Sequence, residues 1–204
     1  KKVLQKYAIK PVQQFAYTTG KNATDSTMII DAMDLLYTRK FDGFCLVTSD
    51  SDFTGLAMRL REEGLYVLGF GEQKTPEAFK NSCHKFIFTE VLRPTLTKAS
   101  GLSEQLGANN NKSKEIKSKN ISKTKPKFPK KFVLDAIDQS SDEEGWAQLG
   151  AFGSYLTKLQ PDFDPRNFGF KKLSDLVKSK TDLFVIEKRK ISGSNKTHFY
   201  IRIK

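Results

Sequence analysis

The run VTSDSDF at residues 47–53 closes an apolar segment, Phe44-Cys45-Leu46-Val47, with two carboxylates, Asp50 and Asp52, separated only by Ser51. Like charges this close oppose each other's ionisation unless positive charge stands beside them. A helix N-terminus supplies that charge in part, and a divalent ion supplies it outright. Ser49-Asp50-Ser51-Asp52 also fits the capping pattern S-x-x-D, for which one carboxylate suffices. A third acid, Asp25, opens the segment TDSTMIIDAMDLLYTRK (24–40), and Asp31 lies six residues along it. Asn22 could cap that segment with Asp25 in its first turn. If Asp25, Asp50 and Asp52 meet at one edge, their hard oxygens suit Mg²⁺ or Mn²⁺. Such an ion can activate water and stabilise charge developing on a phosphoryl group. Lys21, ahead of Asp25, is placed either to neutralise a phosphate or simply to face solvent. His84 and His198 stand without a Ser or Cys partner and are not expected to be catalytic. Cys45 and Cys83 show no CxxC or Cys/His spacing, so buried, reduced thiols are expected rather than a zinc site.

The elements that must hold these acids alternate between two periodicities. Residues 3–8 read as the end of a helix and 12–17 as a strand. The stretch 24–40 places Met28, Ile29, Ala32, Leu35 and Leu36 on a helical stripe. FCLVT (44–48) is β-rich and wholly apolar, as in a strand buried on both faces. FTGLAMRLREEG (53–64) predicts a helix ending at Gly64, YVLGFG (66–71) a strand, PEAFKNSC (76–83) a short helix with Pro76 at N1, and KFIFTEVL (85–92) a last strand. Strands alternating with helices imply a parallel α/β sheet, whose sites lie beyond the carboxyl ends of its strands. Asp50 is at such an end, and Asp25 follows the segment 12–17. The chain opens KKVLQKY, without Met and inside a helix-like stretch, so further N-terminal sequence is expected.

Beyond this first unit (1–95) the composition changes. Residues 97–127 carry 8 Lys against 2 Glu among Ser and Asn, with few apolar anchors. They read as a disordered basic linker (96–128). Its span, roughly 30 Å as a flexible coil, would let two domains share one extended ligand. From 129 to 204, helices are expected over 132–140, 144–159 and 170–179. Strands over 183–190 and 197–204, joined by ISGSN, complete a small α+β winged helix. A net charge of +12 over 204 residues favours a polyanionic partner. Arg166, Lys171, Lys172, Lys178 and Lys180 surround Phe168 and Phe170, so basic groups could grip phosphates there. Most of the rings, with Phe163 and Trp146, are expected in the core. No apolar run approaches the ~20 residues needed to span a bilayer, no secretory signal opens the chain, and a cytoplasmic protein is expected.

DSDFT (50–54) also fits the D-x-D-x-T nucleophile loop of haloacid-dehalogenase-like phosphatases. That family needs a later acidic pair, and GEQKTPEAF (71–79) offers only the scattered Glu72 and Glu77. The fuller match is elsewhere. Lys21 and Asp25 in K-x-x-x-D, the acidic helix with Asp31, S-D-S-D-F at 49–53 and R-x-x-G at 61–64 resemble, in order and spacing, the NYN domains. These are PIN-like ribonucleases, and the likeness is to their LabA-like bacterial branch. The resemblance implies a PIN-like (Rossmann-like) sheet that is N-terminally truncated. It places metal-ligand roles on Asp25, Asp50 and Asp52, with Asp31 and Ser49 in support. The D-x-D-N-type motif that ends the family's first strand is not in this chain. GWAQLGAFGSYLTKLQPDFDPRNFGFKKLSDLVKS (145–179) similarly resembles an OST-HTH/LOTUS domain. That likeness implies RNA binding or docking of a partner protein. The combined expectation is a Mg²⁺- or Mn²⁺-dependent ribonuclease acting on single-stranded or structured RNA. The competing expectation is a non-catalytic RNA-binding or protein-docking adaptor.

Overall fold

The computed structural model describes residues 2–15, 23–92, 128–190 and 197–204. Its elements are α1 (Lys2–Lys6), α2 (Ala23–Tyr37), β1 (Gly43–Val47), α3 (Thr54–Glu62), β2 (Tyr66–Gly71), α4 (Glu77–Ser82) and β3 (Lys85–Phe88), then α5 (Lys130–Ser140), β4 (Ala147–Gln148), α6 (Leu149–Leu159), α7 (Leu173–Lys178), β5 (Phe184–Lys190) and β6 (Thr197–Ile203). One-turn 3-10 helices fill Ser51–Phe53, Thr89–Leu92 and Pro165–Phe168.

The first half is a parallel sheet ordered β1-β2-β3, as the alternating pattern requires. Phe44 pairs with Val67 and Leu46 with Gly69, which pairs in turn with Phe86, so these residues share one face. That face meets Ala32 and Leu36 of α2, Leu56, Ala57 and Leu60 of α3, and Phe79 of α4 in a single apolar cluster. α3 ends as its sequence demands. Gly64 takes φ +81, its N–H donates to Arg61 O at 2.9 Å, and Leu65 N–H donates to Leu60 O at 3.1 Å. These two bonds satisfy the last carbonyls in a Schellman motif. Arg61, the Arg of R-x-x-G, reaches across to the carbonyls of Asn81 and Ser82 at 3.1 and 3.2 Å. Its role is therefore to close the end of α4.

Several sequence expectations are corrected. Of the strand expected over 12–17, residues 12–15 form none: Val12 and Phe15 are exposed and neither described sheet includes them, while 16 and 17 lie outside the described residues. Only Leu46 of β1 is buried, while Cys45 and Val47 on the opposite face are exposed. The strand is thus covered on one face, where α2 and α3 pack. Pro76 is the residue before α4 rather than its first. Helix α6 begins at Leu149 and not at 144, because Gly145 turns the chain at φ +78 and Ala147–Gln148 pair with Ile201 and Tyr200 of β6. The linker, the 191–196 connection, Asn22 and Lys21 lie outside the described residues.

The second half packs three helices on an antiparallel sheet ordered β4-β6-β5, a winged-helix-like arrangement. Val133, Ala136 and Ile137 of α5, Phe152 and Leu156 of α6, Leu176 and Val177 of α7, and Phe184 and Ile201 of the sheet form its core. Phe163 joins them, with Phe168 and Phe170 packed at the margin, so the rings are structural as expected.

Candidate functional site

The carboxyl edge of the parallel sheet is built from the loops after β1, β2 and β3. Thr48 N–H donates to Phe70 O at 2.9 Å, prolonging the β1–β2 ladder by one step. Thr48 Oγ1 then accepts from Asp50 N at 3.1 Å, and Asp50 Oδ1 accepts from Asp52 N at 2.9 Å. Asp50, not Ser49, is therefore the cap of the 51–53 turn. The capping box read from the sequence does not form, because Ser49 is used across the site. Its Oγ accepts from Glu72 N at 2.8 Å, tying the first loop to the second. Glu90, following β3, accepts from Gln73 N at 3.1 Å and ties in the third. Gly71 permits this closeness: a Cβ there would lie 2.5 Å from Thr48 O and 2.6 Å from Thr75 Oγ1.

An open hollow of about 570 Å³ lies between these loops, lined by Thr48, Ser49, Asp50, Ser51, Lys74 and Pro76. Sequence reasoning missed Lys74. Its place after a parallel strand in GEQKTP was the available signal, since such ends converge on one edge. Lys74 Nζ is 2.9 Å from Glu72 Oε2 and exposed, so its charge is part-compensated while its ammonium stays open to solvent. Asp50 and Asp52 are exposed and Asp25 is half-buried. Helix α2, which carries Asp25 and Asp31, packs against the 51–53 turn. The elements are neighbours, but among the described residues no three His, Cys, Asp or Glu side chains gather closely enough to form a metal cluster. Asp31 is exposed on α2.

In the second half, the sequence candidates separate. Arg166 is taken up by Asp164, which accepts from its backbone N at 2.8 Å, its Nε at 3.0 Å and its Nη2 at 2.6 Å. Burial works to raise the Asp164 pKa, but the Arg166 hydrogen bonds and charge outweigh it and hold it below the ordinary range. Lys171 and Lys172 are exposed and lead into α7. Lys178 lies 5.2 Å from the Phe199 ring. The β5–β6 register adds a face that the sequence reading overlooked. Arg189 sits 4.8 Å from the Trp146 ring and 4.7 Å from Tyr200, and Arg202 sits 4.8 Å from Trp146. Glu187 opposite Tyr200, and Arg189 opposite His198, put these groups on the side away from buried Ile201. Strict alternation along EKRK and HFYIRIK was the signal.

Family models match an NYN domain over residues 1–92 and an OST-HTH/LOTUS domain over residues 122–195. The chain joins an NYN domain to a LOTUS domain. NYN is a nuclease-type domain, and LOTUS domains bind RNA. No curated protein matches the chain. Two proteins solved in solution by NMR are similar to it. An uncharacterised protein of Nitrosomonas europaea is 54% identical, over 48% of this chain and 92% of that one, with TM-score 0.38. A fragment of a protein from Chromobacterium violaceum is 36% identical, over 39% of this chain and 84% of that one, with TM-score 0.31. Among the described residues, no helix is long and apolar enough to cross a membrane.

Proposed function

We propose that this protein is a Mg²⁺- or Mn²⁺-dependent ribonuclease that cuts RNA at the carboxyl edge of the NYN sheet and holds it with the LOTUS domain. The observation that carries the reading is the open hollow at that edge, where Asp50 and Lys74 stand together on loops tied by Ser49 and Glu72. The donor set fits the ion in character: carboxylate and hydroxyl oxygens, the Asp50 carboxylate exposed, without sulfur or imidazole. Mg²⁺ is usually held by one or two carboxylates, with water and substrate phosphate completing its shell, so a three-acid cluster is not required. Asp50 would hold the ion, with Asp25 and Asp52 as the further carboxylates and Asp31 and Ser49 in support. When bound, the ion supplies an activated water and charge stabilisation at phosphorus. Lys74 exchanges Glu72 for a phosphate oxygen and orients the backbone of the RNA, as Lys21 would from the preceding loop. In the LOTUS domain Lys171, Lys172 and Lys178 contact phosphates, while the Arg202 guanidinium beside Trp146 offers a surface for unpaired bases; Arg189 is held by Glu187 and its two rings. Arg166 is withdrawn from this set, since Asp164 already satisfies it.

One observation favours a second reading, that of a non-catalytic adaptor: Asp50 has a structural duty as a cap. The two readings part on cleavage of labelled single-stranded RNA in Mn²⁺ and in EDTA. An Asp50→Asn variant keeps the capping oxygen but loses the charge. The ribonuclease reading expects cutting that needs both the metal and Asp50, with RNA affinity nearly unchanged. Binding without cutting, or full cutting by Asp50→Asn, refutes it. For the LOTUS domain, Lys171→Ala/Lys172→Ala should flatten the salt dependence of RNA binding by about 2 in slope. An unchanged slope would make this face a dock for a partner protein.

A further inference from the structure

Lys80 lies on α4 of the NYN domain, yet its Nζ is 2.8 Å from Oδ2 of Asp162 in the LOTUS domain. Both side chains are largely withdrawn from solvent, at 13% and 12% exposure. Removing two charges from water is costly unless each meets the other and its remaining hydrogen-bonding capacity is used. Here it is used. Asp162 Oδ1 accepts from Gln160 Nε2 at 2.8 Å, and its backbone carbonyl accepts from Asn167 Nδ2 at 3.1 Å. The Lys80 ammonium also lies 5.6 Å from the Phe88 ring of β3.

A second contact is independent of that pair. Phe86 N–H, on the side of β3 away from β2, donates to Pro161 O at 2.8 Å. An uncovered edge strand is a liability, because its free donors and acceptors invite another strand. Pro161 is suited to the position: it is buried and offers an acceptor, but having no N–H it cannot carry the ladder on. Lys85, also on β3, adds to the positive potential felt by Asp164, three residues after Pro161. The segment 160–164 thus meets the NYN sheet with a backbone bond, an ion pair and complementary charge.

We propose that the NYN and LOTUS domains form one rigid body, in which the 160–164 segment caps the outer edge of β3 and the Lys80–Asp162 pair locks it there. The relative placement of the two domains is then set by this joint. On the functional reading above, RNA held by the LOTUS domain meets the NYN hollow in one orientation.

The test is rotational diffusion of the full chain, from amide ¹⁵N relaxation, which needs neither RNA nor metal. It can therefore fail separately from the ribonuclease reading. The two domains of the unaltered protein should share one correlation time, that of a 23.1 kDa particle. Lys80→Asp or Asp162→Lys should release them to tumble separately and faster, and the two combined should restore the shared value. Amide spectra of each variant verify that both domains remain folded. If Lys80→Asp unfolds its domain, Lys80→Gln serves in its place. Two distinct correlation times in the unaltered protein overturn the proposal. So does a single one that persists in both charge reversals.

Discussion

Replacing Asp164 probes the physical reasoning most directly, because one carboxylate there has two separable duties. It is 6% exposed and precedes the Pro165–Phe168 turn in extended conformation, with its oxygens on Arg166 N, Nε and Nη2. Gly169, at φ +90, ends the turn on the other side. Asp164→Ala removes a cap, worth about 1 kcal/mol. It also strands the guanidinium: hydrogen bonds to charged groups are worth about 1.5–3 kcal/mol. That second figure is discounted, since the Arg166 side chain is 37% exposed and regains water. The sum is about 2–3 kcal/mol. Asp164→Asn keeps an acceptor for Arg166 N and should lose about half as much, roughly 1–2 kcal/mol. Trp146 is the single tryptophan and lies in this domain, so urea unfolding followed by its fluorescence reads the loss where it occurs. The pH dependence adds an independent arm. The folded Asp164 pKa is held below its ordinary 3.8, so its contribution is complete above that value and is lost as pH falls through the folded pKa. The gap between the native protein and Asp164→Ala should therefore close in strong acid. A loss below about 1 kcal/mol at neutral pH, or a gap undiminished by acid, would refute the argument.

Arg166→Ala should lower stability by a similar amount while leaving the salt slope of RNA binding unchanged, unlike Lys171→Ala/Lys172→Ala; filter binding over a salt series separates them. His84 Nδ1 accepts from Val67 N at 3.1 Å, and burial, then the Arg61 charge, lower its pKa. Stability from this group is complete above the unfolded value of 6.5 and is lost as pH falls toward the lower folded value. His84→Gln should flatten the decline in melting temperature measured between roughly pH 7 and pH 5. Gly71→Ala should cost about 1–3 kcal/mol in thermal unfolding, since its Cβ meets the Thr48 carbonyl. Gly55→Ala, on α3 with nothing within 4 Å of its Cβ, should instead gain about 0.5–1 kcal/mol.

Local chemistry is legible wherever a residue's role depends on its near neighbours in sequence. The apolar stripe of 24–40 was a helix, and the β-rich run at 66–71 was a strand. Gly64 was the stop for α3, and Phe152 and Leu156 were core. The acids at 50 and 52 were visible for the same reason: a parallel strand must end in a loop, and the loop's residues follow directly in the chain. Order and spacing over two long segments carried the NYN and LOTUS assignments.

What remained hidden depends on contacts between residues distant in sequence, whose energies no local window contains. Ser49 was expected to cap its own turn and instead receives Glu72 N, 23 residues away. Arg166 was read as free positive charge because its neighbour Asp164 gives no sign, in sequence, of folding back onto it. Lys80 and Asp162, 82 residues apart, are ordinary surface types until burial makes each one require the other. The sequence by itself determined most of the elements, the kinds of both domains and the acids at the carboxyl end of β1. Tertiary structure alone decided which charges are already paired, which strand edge is covered and which cations remain for a ligand, because pairing and desolvation arise only once separate elements have packed.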